Sequence, residues 1–429
     1  MSKTRNHAIP FAIVTTLFFL WGFITVLVDS LIPRLKDVFE LSNFQAGLVQ
    51  FAFFLAYLLL SIPAGAVLSR IGYRRGVVLG LATMSLACLL FYPAAGVRIF
   101  ALFMLAYFLL AGGITILQVA ANPYVAVLGP EEGASGRLNL AQAFNSLGTT
   151  LAPIIGAAFL LSDTIKSKTE IAMLSEPERR AYLIAEAEAV QEPFLWLAAA
   201  IGLLALFFLI YPLPSIIKKS RKGGYASVIG DKKVMSGALG IFLYVGAEVA
   251  IGSYLVLYFM DMDLVEPIRQ SLVMNQIASV FAAGDLQSID GKAVVGSFLF
   301  IYWGGAMLGR FVGSLLTRIY PPKRVLATFA LFAVSLVISS ILTQGLFSMF
   351  AVLAVGLFNS IMFPTIFSIT LAGQEERKPQ ISGILCTAIF GGAIIPPLYG
   401  GMADTLGYKT AFLVPVICYI YIWWFAKRR

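Results

Sequence analysis

Gly65-Ala-Val-Leu-Ser-Arg70, with Arg74-Arg75 a short turn later, has an echo in Gly313-Ser-Leu-Leu-Thr-Arg318, with Lys323-Arg324 at similar spacing. Each copy closes one long apolar run and opens the next. Two further matches keep the same order. Leu128-Gly-Pro-Glu-Glu132 ends the fourth apolar run as Ala372-Gly-Gln-Glu-Glu376 ends the tenth, and Gly148 precedes Pro153 as Gly391 precedes Pro396. These ordered matches divide the chain into two similar halves running in parallel. Parallel repeats of apolar helices place a ligand site near the bilayer midplane, where the halves face each other.

The remaining sequence agrees with a membrane setting. Its 429 residues are 59% hydrophobic and only 12% charged, and its mean hydropathy is +0.87. A soluble chain of this length needs far more charge to cover its surface. Runs long enough for a helix of about 20 residues to cross the hydrocarbon core recur throughout. Twelve spans are predicted, near 9–36, 44–69, 76–96, 99–127, 137–162, 193–213, 235–260, 294–317, 323–343, 346–371, 380–401 and 408–426. The expected fold is all-α and integral to the membrane. An N-terminal six-helix bundle covers 1–213, a cytoplasmic linker 214–234 and a C-terminal six-helix bundle 235–429. The first run has no small-residue cleavage site after it and reads as a retained helix. Polar insertions lie at 163–192 and 261–293, the first with an amphipathic helix over 176–190 that reads as a solvated cap.

Charge orients the chain. With the N-terminus in the cytoplasm, 20 of the 31 basic residues fall in cytoplasmic segments, where five acids lie against fifteen on the far side. The positive-inside rule then puts both termini in the cytoplasm, as in a bacterial inner membrane. The net charge of +9 is a topology signal and implies no nucleic-acid partner. Cys88, Cys386 and Cys418 sit far apart inside apolar runs and read as small core residues. The single histidine, His7, lies in the polar N-terminal tail, which removes most histidine-based metal sites and proton relays. The sequence shows no P-loop, no metal-spaced cluster and no serine nucleophile motif, and its loops are too short for a catalytic domain. An enzyme is not expected, nor a cofactor.

The loop Gly65-Ala-Val-Leu-Ser69-Arg70-Ile-Gly72-Tyr73-Arg74 resembles the loop signature of the major facilitator superfamily, departing from it at Ser69 and Tyr73. Leu41–Gln50 (LSNFQAGLVQ), Ala120–Pro130 (AANPYVAVLGP) and Arg137–Ser146 (RLNLAQAFNS) resemble the fucose:proton symporter family. Tyr244–Tyr254 (YVGAEVAIGSY), Gly309-Arg-Phe311 and Phe363–Ser368 (FPTIFS) carry the resemblance through the second half, on the glucose/galactose side of that family. The resemblance implies inward movement of a hexose or deoxyhexose with a proton or Na⁺. The family's fucose transporter has an aspartate in the first helix and a glutamate in the fourth at its coupling and sugar sites. The aspartate position matches Asp29, and the glutamate position is Gln118. A sugar-contacting asparagine of the fifth helix matches Asn145.

Within the spans, Asp29 and Glu248 are the only acids. A carboxylate at membrane depth is costly unless paired, hydrated or protonated, so each is a candidate for cation coupling. Asp29 is also a possible Na⁺ ligand; its alternative is solvation near the outer helix end, beside Arg34 and Lys36. Glu248 either meets sugar hydroxyls, holds a cation or hydrogen-bonds across helices. Gln118 joins the coupling candidates through the resemblance. Sugars need amides and carboxylates beside stacking aromatics. The substrate candidates are Asp29, Gln50, Gln118, Asn122, Gln142, Asn145, Glu248, Tyr254, Trp303 and Asn359, with Trp21 and Tyr57 as further platforms. Gln142 and Asn145 share a helix face by spacing. Candidate gate residues are Gly65, Arg70, Arg74, Arg75, Arg310, Gly313, Arg318, Lys323 and Arg324, the glycines for close helix approach and the cations to latch helix ends. The expected function is cation-coupled hexose symport by a monomer, Na⁺ ahead of H⁺. An uncoupled facilitator, a proton-coupled fucose-type symporter and a sugar-sensing receptor are the alternatives.

Overall fold

The computed structural model describes all residues except 1–7, 39–42, 98, 161–172, 212, 215–224, 282–285 and 429. The side chains of 28–38, 43–47, 154–160, 183 and 186–190 also lie outside the description. Among the described residues every regular element is helical. In chain order the long helices are α1 (Ala8–Val38), α2 (Asn43–Ile71), α3 (Tyr73–Val97), α4 (Phe100–Val127), α5 (Ala134–Leu160) and α6 (Glu176–Ile210). The second half continues with α7 (Lys232–Asp261), α8 (Gly291–Ile319), α9 (Pro322–Leu342), α10 (Gly345–Leu371), α11 (Lys378–Leu406) and α12 (Tyr408–Lys427). Eleven of these, among the described residues, contain a segment long and apolar enough to cross a membrane. The remaining helix, α5, has 27 residues, and at 1.5 Å per residue it exceeds the roughly 30 Å of hydrocarbon.

One boundary moves from its expected place. The stretch over 176–190 is continuous with the sixth span, because Ser175 and Glu178 form a capping box that starts α6 there.

The contacts sort the chain into two compact units. The first contains residues 1–129, 144–228 and 373–387; the second contains 130–143, 229–372 and 388–429. Each unit thus takes one short helical segment from the other half of the sequence. In the first unit the start of α11 lies against α2 and α4, where Ser382 Oγ donates to the Val119 carbonyl at 2.8 Å. In the second, the start of α5 lies against α8 and α10. Ser314 Oγ donates to the Gly136 carbonyl at 2.9 Å and Asn139 Nδ2 to Thr365 Oγ1 at 3.1 Å.

The repeat glycines explain how helices of each unit approach. A Cβ at Gly148 in α5 would overlap the Phe19 carbonyl of α1, and one at Gly391 in α11 would overlap the Phe242 carbonyl of α7. Both glycines therefore bring a later helix against the backbone of the first helix of its half. In a membrane, where burial from water gives helix pairs little, such small-residue contact is a main source of packing energy.

Candidate functional site

Proline and its consequences organise the polar interior. Pro123 in α4 lacks an N–H, so the Val119 carbonyl four residues back loses its helical donor, and the Ser382 hydroxyl supplies the bond. Pro364 does the same to the Ser360 carbonyl, where α10 breaks into Gly345–Asn359 and Met362–Leu371. There the replacement donor is Arg310 Nε of α8, at 3.2 Å. The buried amides Asn122 and Asn359 sit beside these two interruptions.

The first unit gathers amides around α4. Gln118 and Tyr57 are buried, and Gln118 Nε2 donates to the Tyr57 hydroxyl at 2.5 Å. Asn122 is fully buried one turn beyond Gln118 on the same helix. On α5, Asn145 Nδ2 donates to the Phe18 carbonyl of α1 at 2.9 Å. A Cβ at Gly22 of α1 would press on the Asn145 amide nitrogen at 2.6 Å, so α1 and α5 meet at this level. Asp29 is in α1, two helical turns beyond Gly22; its side chain is outside the description. Trp21 is buried, with its ring centroid 4.9 Å from that of Phe18. Gln50 is exposed.

The second unit builds a denser cluster from residues distant in sequence. Glu248 of α7 accepts from the Tyr244 hydroxyl at 2.7 Å, and its Oε1 lies 3.7 Å from Arg310 Nη2. The two side chains are 14% and 15% exposed, so this is a nearly dry ion pair. Tyr302 Oη donates to the Glu248 backbone carbonyl at 3.3 Å. Asn359 Nδ2 donates to the hydroxyls of Tyr302 (2.9 Å) and Tyr419 (3.3 Å). Asn359 Oδ1, also buried, accepts nothing from the described residues. A buried amide oxygen without a protein donor carries a desolvation cost that a bound water or another hydroxyl would relieve.

Glu248, Arg310 and Asn359, expected in separate roles, thus belong to one network. Tyr254 is half-buried, 4.9 Å from Tyr399 between ring centroids, while Trp303 is 45% exposed and its ring covers Gly252. Gln142 is buried in α5, one turn before Asn145.

The repeated loop residues occupy helix ends. Arg74 Nε donates to the Phe208 carbonyl at 3.1 Å, and its Nη2 to the Leu209 carbonyl, at the C-terminus of α6. Lys323 Nζ donates to the Arg428 carbonyl after α12, at 3.1 Å. Each cation satisfies carbonyls that a helix C-terminus leaves without partners. Arg70, Arg75, Arg318 and Arg324 are exposed, Arg318 with its stem against Gly136. A Cβ on Gly65 would come within 2.6 Å of both the Pro379 carbonyl and the Tyr225 hydroxyl. Gly313 is closed in by Ile361.

Residues that sequence reasoning did not select include Ser382, Tyr244, Tyr302, Tyr419 and Tyr225. The prolines were a usable signal: each announces a free carbonyl four residues earlier, and hence a donor somewhere. No described group of acids, histidines and cysteines is arranged to hold a metal ion.

Residues 11–369 match the model of the Major Facilitator Superfamily. A glucose/galactose transporter of Brucella abortus is 45% identical over 430 residues, covering 98% of this chain and 94% of that protein. The L-fucose-proton symporter of Escherichia coli K12 is 33% identical over 437 residues, covering 100% of this chain and 94% of that one. Among solved structures, that of the transporter FucP in the outward conformation superposes with a TM-score of 0.86 at 32% identity, covering 99% of both chains.

Proposed function

Because this chain belongs to the major facilitator superfamily, within the group of the fucose-proton symporter and the glucose/galactose transporters, we propose that it is a cation-coupled hexose symporter of the glucose/galactose type. It works by alternating access, as a monomer, in the bacterial inner membrane with both termini in the cytoplasm. The observation that carries this reading is Gln118. At the position where the fucose transporter has a glutamate, this chain buries a neutral amide, held by Tyr57 at 2.5 Å. A two-acid proton scheme then lacks its second acid in α4, leaving Asp29 of α1 as the one acid within the expected spans of the first half. One carboxylate with neutral oxygens suits Na⁺, a hard cation that takes oxygen ligands. Proton coupling is the second reading, and Glu248 favours it, since Tyr244 and Arg310 hold that carboxylate in a nearly dry site where its charge state matters.

Sugar recognition falls first to Gln142 and Asn145, one turn apart on α5. Counterflow of labelled galactose in proteoliposomes tests the substrate. Unlabelled glucose should compete and fucose should compete at least tenfold less well. Fucose competing better would make this a fucose-type carrier. An absence of exchange would leave a receptor.

A further inference from the structure

Between the start of α9 and the end of α12 lies a cleft of about 480 Å³ that none of the sugar chemistry uses. Lys323, Arg324 and Lys427 supply its charge, and no carboxylate is among its lining residues. Trp423 forms one wall, and Ala327, Thr328 and Leu331 lead down from the charged mouth. Beside it the Arg428 guanidinium lies over the Trp424 ring, 5.1 Å from the centroid, while the Arg428 carbonyl binds Lys323. The mouth is therefore built, with α9 and α12 tied to each other by that contact.

The cleft continues as exposed apolar surface. On α9, Leu331, Ile338 and Leu342 follow Arg324 and Thr328 at steps of four, three, seven and four residues, so they lie on one face, with the exposed Ser335 between Leu331 and Ile338. On α12, Trp424, Ile420, Ile417 and Leu413 form a second exposed stripe. Charge at one end and two greasy rows along the membrane-spanning length match a molecule with an anionic head and long hydrocarbon tails.

We propose that this cleft is a binding site for an anionic phospholipid of the cytoplasmic leaflet. Its phosphate sits among Lys323, Arg324 and Lys427, its glycerol region against Trp423, and an acyl chain between the α9 and α12 stripes. The cations attract a phosphodiester, and tryptophan prefers the headgroup level of the bilayer. A zwitterionic lipid offers the same tails but brings its own cation into the basic mouth, so the site discriminates by headgroup charge.

The test uses the full-length protein in mixed micelles with brominated phosphatidylglycerol or brominated phosphatidylcholine, reading quenching of tryptophan fluorescence. Phosphatidylglycerol should bind at least tenfold more tightly. Arg324→Gln/Lys427→Gln should weaken it roughly 25-fold, from about 1 kcal/mol for each cation near an anionic surface. The charge-matched linker variant Lys218→Gln/Lys219→Gln should leave binding unchanged. Wild-type protein at raised salt should lose the preference as well, which keeps the test decisive if the double variant does not fold. Equal quenching by both lipids would overturn the proposal. So would unchanged binding in the cleft variant, or displacement of the lipid by inorganic phosphate at equal concentration, which would mark a plain phosphate site.

Discussion

Replacing Arg310 by methionine keeps most of the side-chain volume and removes two interactions. Glu248, 14% exposed, loses its cation, and the Ser360 carbonyl loses the donor that replaced the missing Pro364 N–H. Removing one partner of a buried ion pair costs about 3–5 kcal/mol. The 3.7 Å separation is longer than a direct charge-assisted bond, so the low end applies, about 3 kcal/mol. An unpaired buried carbonyl adds about 1 kcal/mol, for a total near 4 kcal/mol. Glu248→Gln strands Arg310 but keeps the Ser360 bond, and should cost about 3 kcal/mol. The double variant Glu248→Gln/Arg310→Met has no stranded charge and should cost only about 1–2 kcal/mol. The singles therefore overshoot the double by well above 2 kcal/mol. Unfolding in mixed micelles with rising dodecyl sulfate, followed by tryptophan fluorescence, measures all four corners of the cycle. Costs that add to within about 0.5 kcal/mol would refute the reasoning, because independent sites behave that way.

Gly148→Ala and Gly391→Ala should each destabilise by about 1–3 kcal/mol, since the added methyl meets backbone rather than a movable side chain; thermal unfolding in detergent checks this, with Gly401→Ala, where a Cβ meets nothing within 4 Å, as the tolerant control. Ser382→Ala strands the Val119 carbonyl beside Pro123 and should cost about 1–3 kcal/mol in the same assay. Tyr225→Phe removes the 2.6 Å bond from its hydroxyl to the Ile62 carbonyl. Burial raises that phenol from 10.0 to about 12. A raised folded value means the contribution is full below pH 10 and declines as pH rises towards 12. The stability gap between wild type and Tyr225→Phe should therefore be flat up to pH 10 and shrink above it. A gap that grows with pH would contradict this.

The architecture was legible because the membrane imposes it. Backbone groups in lipid must be satisfied internally, so a long apolar run is a helix, and its length is fixed by the bilayer. The repeat was legible for a related reason: Gly148 and Gly391 must stay small where two backbones touch, and that need survives as identical residues at matching places. Sequence could not show the pairings. Arg310 meets Glu248 and the Ser360 carbonyl from a helix far away in the chain, and nothing in the local pattern of α7 announces a cation. Arg74 and Lys323 read as a repeated basic signature, and their partners proved to be helix-end carbonyls of α6 and α12. The helix over 176–190 was legible in its amphipathic pattern, but not its continuation into the sixth span as one helix, Glu176–Ile210.

In the proposed mechanism Asp29 is the residue that links sugar to cation. The direct measurement is uptake of labelled glucose and galactose into proteoliposomes under an imposed Na⁺ gradient, and separately under a pH gradient, for wild type and Asp29→Asn. Accumulation driven by Na⁺ alone and abolished in Asp29→Asn, with exchange retained, is the predicted result. Accumulation that persists in Asp29→Asn, or exchange without accumulation under either gradient, would contradict it.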